Sequence, residues 1–260
     1  MQSFFKWLYV LSTKLQEIKL YKKMEEKDEE GVYGYKEINS VLRQSYLERL
    51  ERLKDKVLEI LTVGHKLQLI QRPSLCLGSI IWEGALVLAK YMEDNAQEFK
   101  GKTVIELGAG IGLVGIVSAL IGCSSITITE IGKLIPLIRE NIELNIEDPN
   151  VRKRVQVKEL NWGEHVEGKF DKSYDYIVGS DIVYDKSTFE ILIKSFKDLS
   201  DNNTIIFLAY RVRSKDETRF FELLEKDFVK VEIPKEKLRD SGRGGNPMHL
   251  YMMKKRVNNL

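Results

Sequence analysis

The sequence predicts an α/β protein: a mostly parallel sheet with helices on both faces and an antiparallel last strand. Three observations carry that prediction. From Thr103 onward, short runs rich in β-branched residues alternate with longer runs of helical periodicity. A glycine-rich turn, Gly108-Ala109-Gly110-Ile111-Gly112, separates the first of those strands from the first of those helices. The last two strand-like runs have no helical run between them, and strands joined without a crossover helix pair antiparallel.

The chain opens on MQSFFKWLYVL, which is apolar, carries Lys6 and has no acid before Glu17. A secretory signal would need a longer apolar core and a small-residue cleavage site, and a mitochondrial presequence would need arginines. The expectation is an amphipathic helix docked on the domain in a cytoplasmic protein. Targeting to mitochondria or to a membrane surface stays open. Residues 22–30, KKMEEKDEE, lack an apolar stripe and read as solvated linker. Leu47, Leu50, Leu53, Val57 and Leu61 then recur at spacings of three and four, which predicts a packing helix over Ser45–Leu61. Lys66–Gln71 alternates like a strand, with Gly64 before it marking a hairpin turn. Ile80–Met92 is apolar nearly all round and predicts a buried helix.

The strands expected in the core are Thr103–Gly108, Ser125–Glu130, Arg154–Glu159, Tyr174–Ser180, Thr204–Tyr210, Phe228–Ile233 and His249–Met253. Helices are expected at Leu113–Ile121, Lys133–Asn145, Thr188–Leu199 and Asp216–Lys226. This divides the chain into a helical and charged extension, residues 1–55, and one domain, residues 56–257. Within the domain, residues 57–100 lead in and residues 101–257 form the core.

Composition narrows the function. The formal charge of +2 over 260 residues gives no basic stripe of the kind a nucleic-acid partner selects. No run is long enough to span a bilayer. Cys76 and Cys123 stand far apart with no CxxC or Cys/His spacing, so no metal site is expected, and two lone thiols read as buried apolar residues in a reducing compartment. A monomer is expected. His65, His165 and His249 are scattered, and none is assigned a catalytic role.

The glycine turn names a class of ligand. Glycines let the backbone approach a ligand closely, and the helix that follows offers unpaired N–H groups. Gly110, Gly112 and Gly115 also fit GxGxxG, so a dinucleotide such as NAD competes here with S-adenosylmethionine. Glu106, two residues before the first glycine, favours the latter, as does a turn lying a hundred residues into the chain. Glu130 ends the strand beside the first one, where a carboxylate meets the ribose hydroxyls of either cofactor.

One further segment decides between them. Val178-Gly179-Ser180-Asp181-Ile182-Val183-Tyr184 ends the fourth core strand and contains D-x-x-Y. Together with E-x-G-x-G-x-G it resembles the seven-strand methyltransferases known as family 16 lysine methyltransferases. Gly78–Ala85, Lys158–Gly163 and Leu208–Arg213 extend the likeness, which runs from about residue 60 to the C-terminus. The resemblance implies a Rossmann-like seven-strand methyltransferase sheet, with S-adenosyl-L-methionine as cofactor and a protein lysine as acceptor. It is strongest to the branch acting on chaperones and AAA ATPases. Phe221–Leu224 and Ile233–Lys237 are similar to the enzyme for the valosin-containing ATPase, whereas Lys158–Gly163 and Tyr210–Arg213 are similar to the enzyme for heat-shock chaperones.

By the same resemblance, cofactor contacts fall on Trp82, Gly108, Ala109, Gly110, Glu130, Trp162 and Ser180. Relatives usually carry Asp at the Glu130 position and Ala at the Ser180 position, so the ribose contact shifts by a methylene. Asp181 and Tyr184 are expected on the acceptor side, Asp181 to orient the amine and Tyr184 to line its channel. Read structurally instead, Asp181 is a helix N-cap, and Trp82 and Trp162 are core or rim residues. An NAD-dependent oxidoreductase and a non-enzymatic chaperone-binding adaptor remain the alternatives. A nucleic-acid methyltransferase would normally carry Asn-Pro-Pro-Tyr where Ser180-Asp181-Ile182-Val183 stands.

Overall fold

The computed structural model describes residues 57–62, 64–171, 173–212, 217–238 and 248–256. The expected N-terminal helix, the charged linker and the Ser45–Lys56 part of the packing helix lie outside the described residues.

The domain begins with a hairpin. Strand β1 (Val57–Thr62) pairs antiparallel with β2 (His65–Ile70) around the turn at Gly64. The helix expected over Ser45–Leu61 therefore does not reach its predicted end. Val57-Leu58-Glu59-Ile60-Leu61-Thr62 carries helical spacing, and pairing with β2 across the tight turn overrides it and selects the strand. The hairpin leans on α4 (Ile135–Asn145) by burying Leu67 and Leu69.

A one-turn 3-10 segment, Leu77–Ser79, leads to α1 (Glu83–Asp94) and the short α2 (Ala96–Phe99). The expected helix over Ile80–Met92 thus starts three residues late. Ile80 and Trp82 are extended, and the Ile81 N–H donates to Gln71 Oε1 (2.9 Å), which spends the backbone elsewhere. The core strands are β3 (Thr103–Leu107), β4 (Ser125–Glu130), β5 (Val155–Glu159), β6 (Tyr176–Ser180), β7 (Ile205–Arg211), β8 (Phe228–Glu232) and β9 (Met248–Lys255). The helices between them are α3 (Leu113–Leu120), α4, the short α5 (Pro149–Arg152), α6 (Phe189–Asp198) and α7 (Glu217–Leu224).

The sheet order is β5-β4-β3-β6-β7-β9-β8, and β9 alone runs against its neighbours. The closing strands pair antiparallel as expected, with β9 inserted between β7 and β8. Strand alternation feeds two cores. Val104, Phe207 and Ala209 face one side with Leu88, Ile116 and Ile138, while Ile105, Leu107, Ile206 and Leu208 face the other with Phe196 and Phe220. Both faces are covered, as a parallel sheet requires. Chain order reverses between β3 and β6, and ligands in open α/β sheets bind at the carboxyl ends of strands beside such a switch point.

Candidate active site

A pocket opens there. Its floor is the glycine turn, and its walls are the Cys76–Trp82 lead-in, Ile131–Leu134, Leu160–Trp162 and Ser180–Asp185. All nine residues singled out in the sequence line this one pocket: Trp82, Gly108, Ala109, Gly110, Glu130, Trp162, Ser180, Asp181 and Tyr184.

The turn is stitched to its surroundings by backbone bonds. The Ala109 N–H donates to Thr129 O in β4 (3.0 Å), and the Gly112 N–H closes the turn onto Ala109 O (2.9 Å). Gly110 has φ +57°, a left-handed conformation that favours glycine. A Cβ there would stand 2.9 Å from Gly78 O, so the lead-in segment lies directly on the turn. At Gly108 a Cβ would meet Ile182 Cγ2 at 2.7 Å and Trp162 Cζ2 at 3.0 Å. The glycines therefore admit both a ligand and the pocket's own walls.

Two carboxylates brace the turn. Glu130 Oε2 accepts from the Gly110 N–H (2.8 Å) and Oε1 from the Ile131 N–H (2.8 Å). Burial pushes its carboxyl above the ordinary range, against the pull of those two N–H groups and of Lys133. Glu106 is not part of the pocket lining. It is 1% exposed, and its Oε2 accepts from the Gly115 N–H (2.8 Å) in the first turn of α3. The N-cap of α3 is Gly112, which has no side chain to cap with, and Glu106 reaches over from β3 to take that role. Burial, with Glu130 adding, raises its pKa to about 8 despite the bond from Gly115.

The tryptophans are held differently. Trp82 is the N-cap of α1 rather than a residue within the helix, and its Nε1 donates to Leu77 O (3.0 Å), fixing the lead-in turn. Trp162 follows β5 and presents its ring edge to Gly108.

Asp181 directly follows β6. Its φ of +56° makes it the one non-glycine with positive φ among the described residues. Its N–H donates to Ala209 O (2.9 Å), and its Oδ2 accepts from the Gly84 N–H (2.6 Å) in the first turn of α1. Asp181 is therefore not the N-cap of the helix that follows, a place taken by Asp185; its carboxylate instead satisfies an N–H in the first turn of a helix 97 residues away in sequence, whose N-cap is Trp82. This bond and the pocket position coexist in one side chain. Backbone strain of this kind gathers at functional sites and costs about 1–3 kcal/mol. Tyr184 lies within electrostatic reach of Glu130, Asp185 and Cys76, and burial keeps its hydroxyl protonated far above neutral pH. It therefore belongs to the wall shared with Glu130. Asp185 beside it is buried and caps the next turn, its Oδ1 accepting from the Ser187 N–H (2.9 Å).

Sequence reasoning missed Gly78, Cys76 and Lys133 as pocket residues. Gly78 lies within the Gly78–Ala85 stretch that carried part of the resemblance, and that was the available signal. Cys76 is 3% exposed, and burial raises its thiol pKa to about 11, so it lines the pocket as an unreactive thiol. His165 is exposed, and His249 stacks on Tyr251 and meets Glu232 through Nδ1 (2.7 Å), both away from the pocket.

Comparison with known proteins agrees with this geometry. Residues 62–227 match the family model described as lysine methyltransferase. The chain is 34% identical over 194 residues to protein N-lysine methyltransferase METTL21A of Mus musculus, covering 74% of this chain and 85% of that one. It is 36% identical over 175 residues to EEF1A lysine methyltransferase 3 of Xenopus tropicalis, covering 66% of this chain and 76% of that one. Among solved structures it is similar in fold to the glycopeptide N-methyltransferase MtfA complexed with S-adenosyl-L-homocysteine. That likeness has a TM-score of 0.51 at 16% identity, over 65% of this chain and 90% of that one. The chain belongs to the lysine methyltransferase family.

Proposed function

We propose that this protein transfers a methyl group from S-adenosyl-L-methionine to a lysine side chain of a protein, and that the acceptor is a heat-shock chaperone or an AAA ATPase. The observation that carries the reading is the convergence of the glycine turn, Glu130 and Asp181 on one pocket at the chain-order switch of the sheet. The donor set suits the cofactor. Glu130 offers a carboxylate to ribose hydroxyls, and its bonds to Gly110 and Ile131 hold it at the turn with acceptor capacity to spare. Ile131, Leu160 and Trp162 supply apolar walls for a flat base, with Ser180 at the rim. Trp82 and the lead-in turn close the side facing Gly110. When bound, S-adenosyl-L-methionine supplies an activated methyl group on a positively charged sulfur.

The chain's own residues have to produce a neutral, aligned amine. A free lysine has a pKa near 10.4, so neutralising it at pH 7 costs about 4.6 kcal/mol. Desolvation in an apolar pocket lowers that cost. Asp181 accepts a hydrogen bond from the amine and aligns it, and its own rigidity comes from Gly84 and Ala209. Asp181 is assigned the alignment of the amine, not the removal of its proton. Tyr184 lines the same pocket as Asp181 and Glu130 and excludes water from the reacting groups.

The choice of acceptor rests on the likeness of Lys158–Gly163, Tyr210–Arg213 and Ile233–Lys237 to enzymes for chaperones and the valosin-containing ATPase. A relative named for EEF1A adds a third candidate of the same chemistry. We also read the protein as a cytoplasmic monomer with residues 56–257 as its catalytic domain; among the described residues, no helix is long and apolar enough to cross a membrane. Incubating a lysate with the purified chain and methyl-tritiated cofactor tests the acceptor. Label in a heat-shock chaperone or an AAA ATPase supports the proposal, label in EEF1A selects the third candidate, and label in RNA contradicts it.

A further inference from the structure

We infer that Asn141 is a positioning residue for the cofactor turn, linking the N-terminal hairpin to the glycine loop through a single buried side chain. The inference rests on the reading of that loop as the cofactor site. Asn141 lies on α4 and is 0% exposed. Its amide makes three hydrogen bonds to two segments that are not neighbours in the chain. Oδ1 accepts from the Ile70 N–H (2.7 Å), Nδ2 donates to Ile70 O (3.1 Å), and Nδ2 also donates to Ile111 O (2.9 Å). The first two bonds mimic a neighbouring β-strand for the last residue of β2. The third holds the carbonyl between Gly110 and Gly112, inside the turn that lines the pocket.

One helical turn later, Asn145 repeats the first half of this arrangement. Its Oδ1 accepts from the Gln68 N–H (2.8 Å) and its Nδ2 donates to Gln68 O (2.8 Å), but its remaining bond goes to Asn141 O (2.6 Å), within α4 itself. Spaced four apart on one helix face and two apart along β2, the two asparagines form an amide ladder that docks the hairpin. Only Asn141 extends the ladder to the turn. The two residues therefore separate hairpin docking from turn positioning within one molecule.

The turn needs such a support. Ala109 and Gly112 bond to β4 and to each other's segment, and Gly110 is held by Glu130. Ile111 O is tied to Asn141 Nδ2, and no side chain on the turn itself can replace that bond. Removing the donor leaves a buried carbonyl without its partner and frees the turn to rotate away from the conformation that receives a ligand.

The experiment compares Asn141→Asp and Asn141→Thr with Asn145→Ala in the full chain. Binding of S-adenosyl-L-homocysteine is measured by calorimetry and the Michaelis constants by methyl transfer. Both Asn141 variants lose the amide donor to Ile111, whereas Asn145→Ala loses its hairpin bonds and its bond to Asn141 O, none of which reaches the turn. The expected result is affinity weakened about tenfold in the Asn141 variants, with KM for the cofactor raised in step and kcat and the acceptor KM little changed. Asn145→Ala is expected to lower the melting temperature while leaving cofactor affinity within about twofold of the unaltered chain. Equal losses of affinity at both positions, unchanged affinity in the Asn141 variants, or failure of both Asn141 variants to fold would overturn the inference in favour of a purely structural ladder. If the unaltered chain binds no S-adenosyl-L-homocysteine, the cofactor reading itself has failed, and that result is distinct from any of these.

Discussion

The carboxylate of Asp181, which lines the pocket, accepts a 2.6 Å hydrogen bond from the Gly84 N–H, tying the end of β6 to the first turn of α1. The same carboxylate is the group proposed to align the acceptor amine. Its two duties can be separated by substitution. Asparagine keeps an acceptor for Gly84 and tolerates the left-handed backbone. Asp181→Asn is therefore expected to melt close to the unaltered chain while methyl transfer falls by about a hundredfold or more. Asp181→Ala loses the Gly84 bond as well, at about 1 kcal/mol, and pays a further cost of about 1 kcal/mol for its positive φ. Thermal unfolding read beside turnover distinguishes the two.

Gly84 is the other half of that contact. A Cβ at this position would overlap the Asp181 carboxylate and stand 3.3 Å from Ala209 O. Gly84→Ala is expected to destabilise the fold by about 1–3 kcal/mol and to lower turnover further than the lost folded fraction accounts for. Activity normalised to the folded fraction, measured by circular dichroism, checks this.

Glu106 predicts a pH dependence of stability. Its carboxyl has a folded pKa of about 8 against an ordinary value of 4.5, so the native state holds this proton more tightly than the unfolded chain does. This contribution is complete below about pH 4.5 and is lost as pH rises through about 8, on the order of a few kcal/mol. Glu106→Gln keeps an acceptor for the Gly115 N–H and carries no proton to lose. The variant is expected to show a flatter stability profile between pH 5 and pH 9, measured by urea unfolding, and to gain on the unaltered chain as pH rises. Parallel profiles for the two proteins would contradict the assignment.

Gly110 tests the turn directly. Alanine there incurs the left-handed cost of about 1–2 kcal/mol and drives its Cβ to 2.9 Å from Gly78 O. Gly110→Ala is expected to weaken binding of S-adenosyl-L-homocysteine at least about tenfold while the sheet melts cooperatively. Calorimetric titration beside thermal unfolding gives both quantities.

Most of the fold was legible because both period signals were strong. Ser125–Glu130 was read to the residue, and the other core strands to within two residues at either end. The failures have a common cause in long-range contacts. Val57–Leu61 carries a helical spacing, and pairing with β2 overrides it. The insertion of β9 between β7 and β8 is a matter of sheet order, which no local pattern records. The site behaved alike. The glycine turn, Glu130 and Asp181 announce themselves by their places at strand ends. The contact of Gly78 with Gly110, the bond between Gly84 and Asp181 and the reach of Asn141 to Ile111 join segments that become neighbours only after folding. Glu106 was read as part of the motif, but its bond to Gly115 shows that it supports the helix after the turn rather than facing the pocket.

The central claim is that this pocket delivers a methyl group to a lysine. Its most direct test is tandem mass spectrometry of an acceptor protein after incubation with the purified chain and S-adenosyl-L-methionine. The account predicts methylation on a lysine that Asp181→Asn abolishes and S-adenosyl-L-homocysteine inhibits. Methylation confined to nucleic acid, or lysine methylation undiminished in Asp181→Asn, would contradict it.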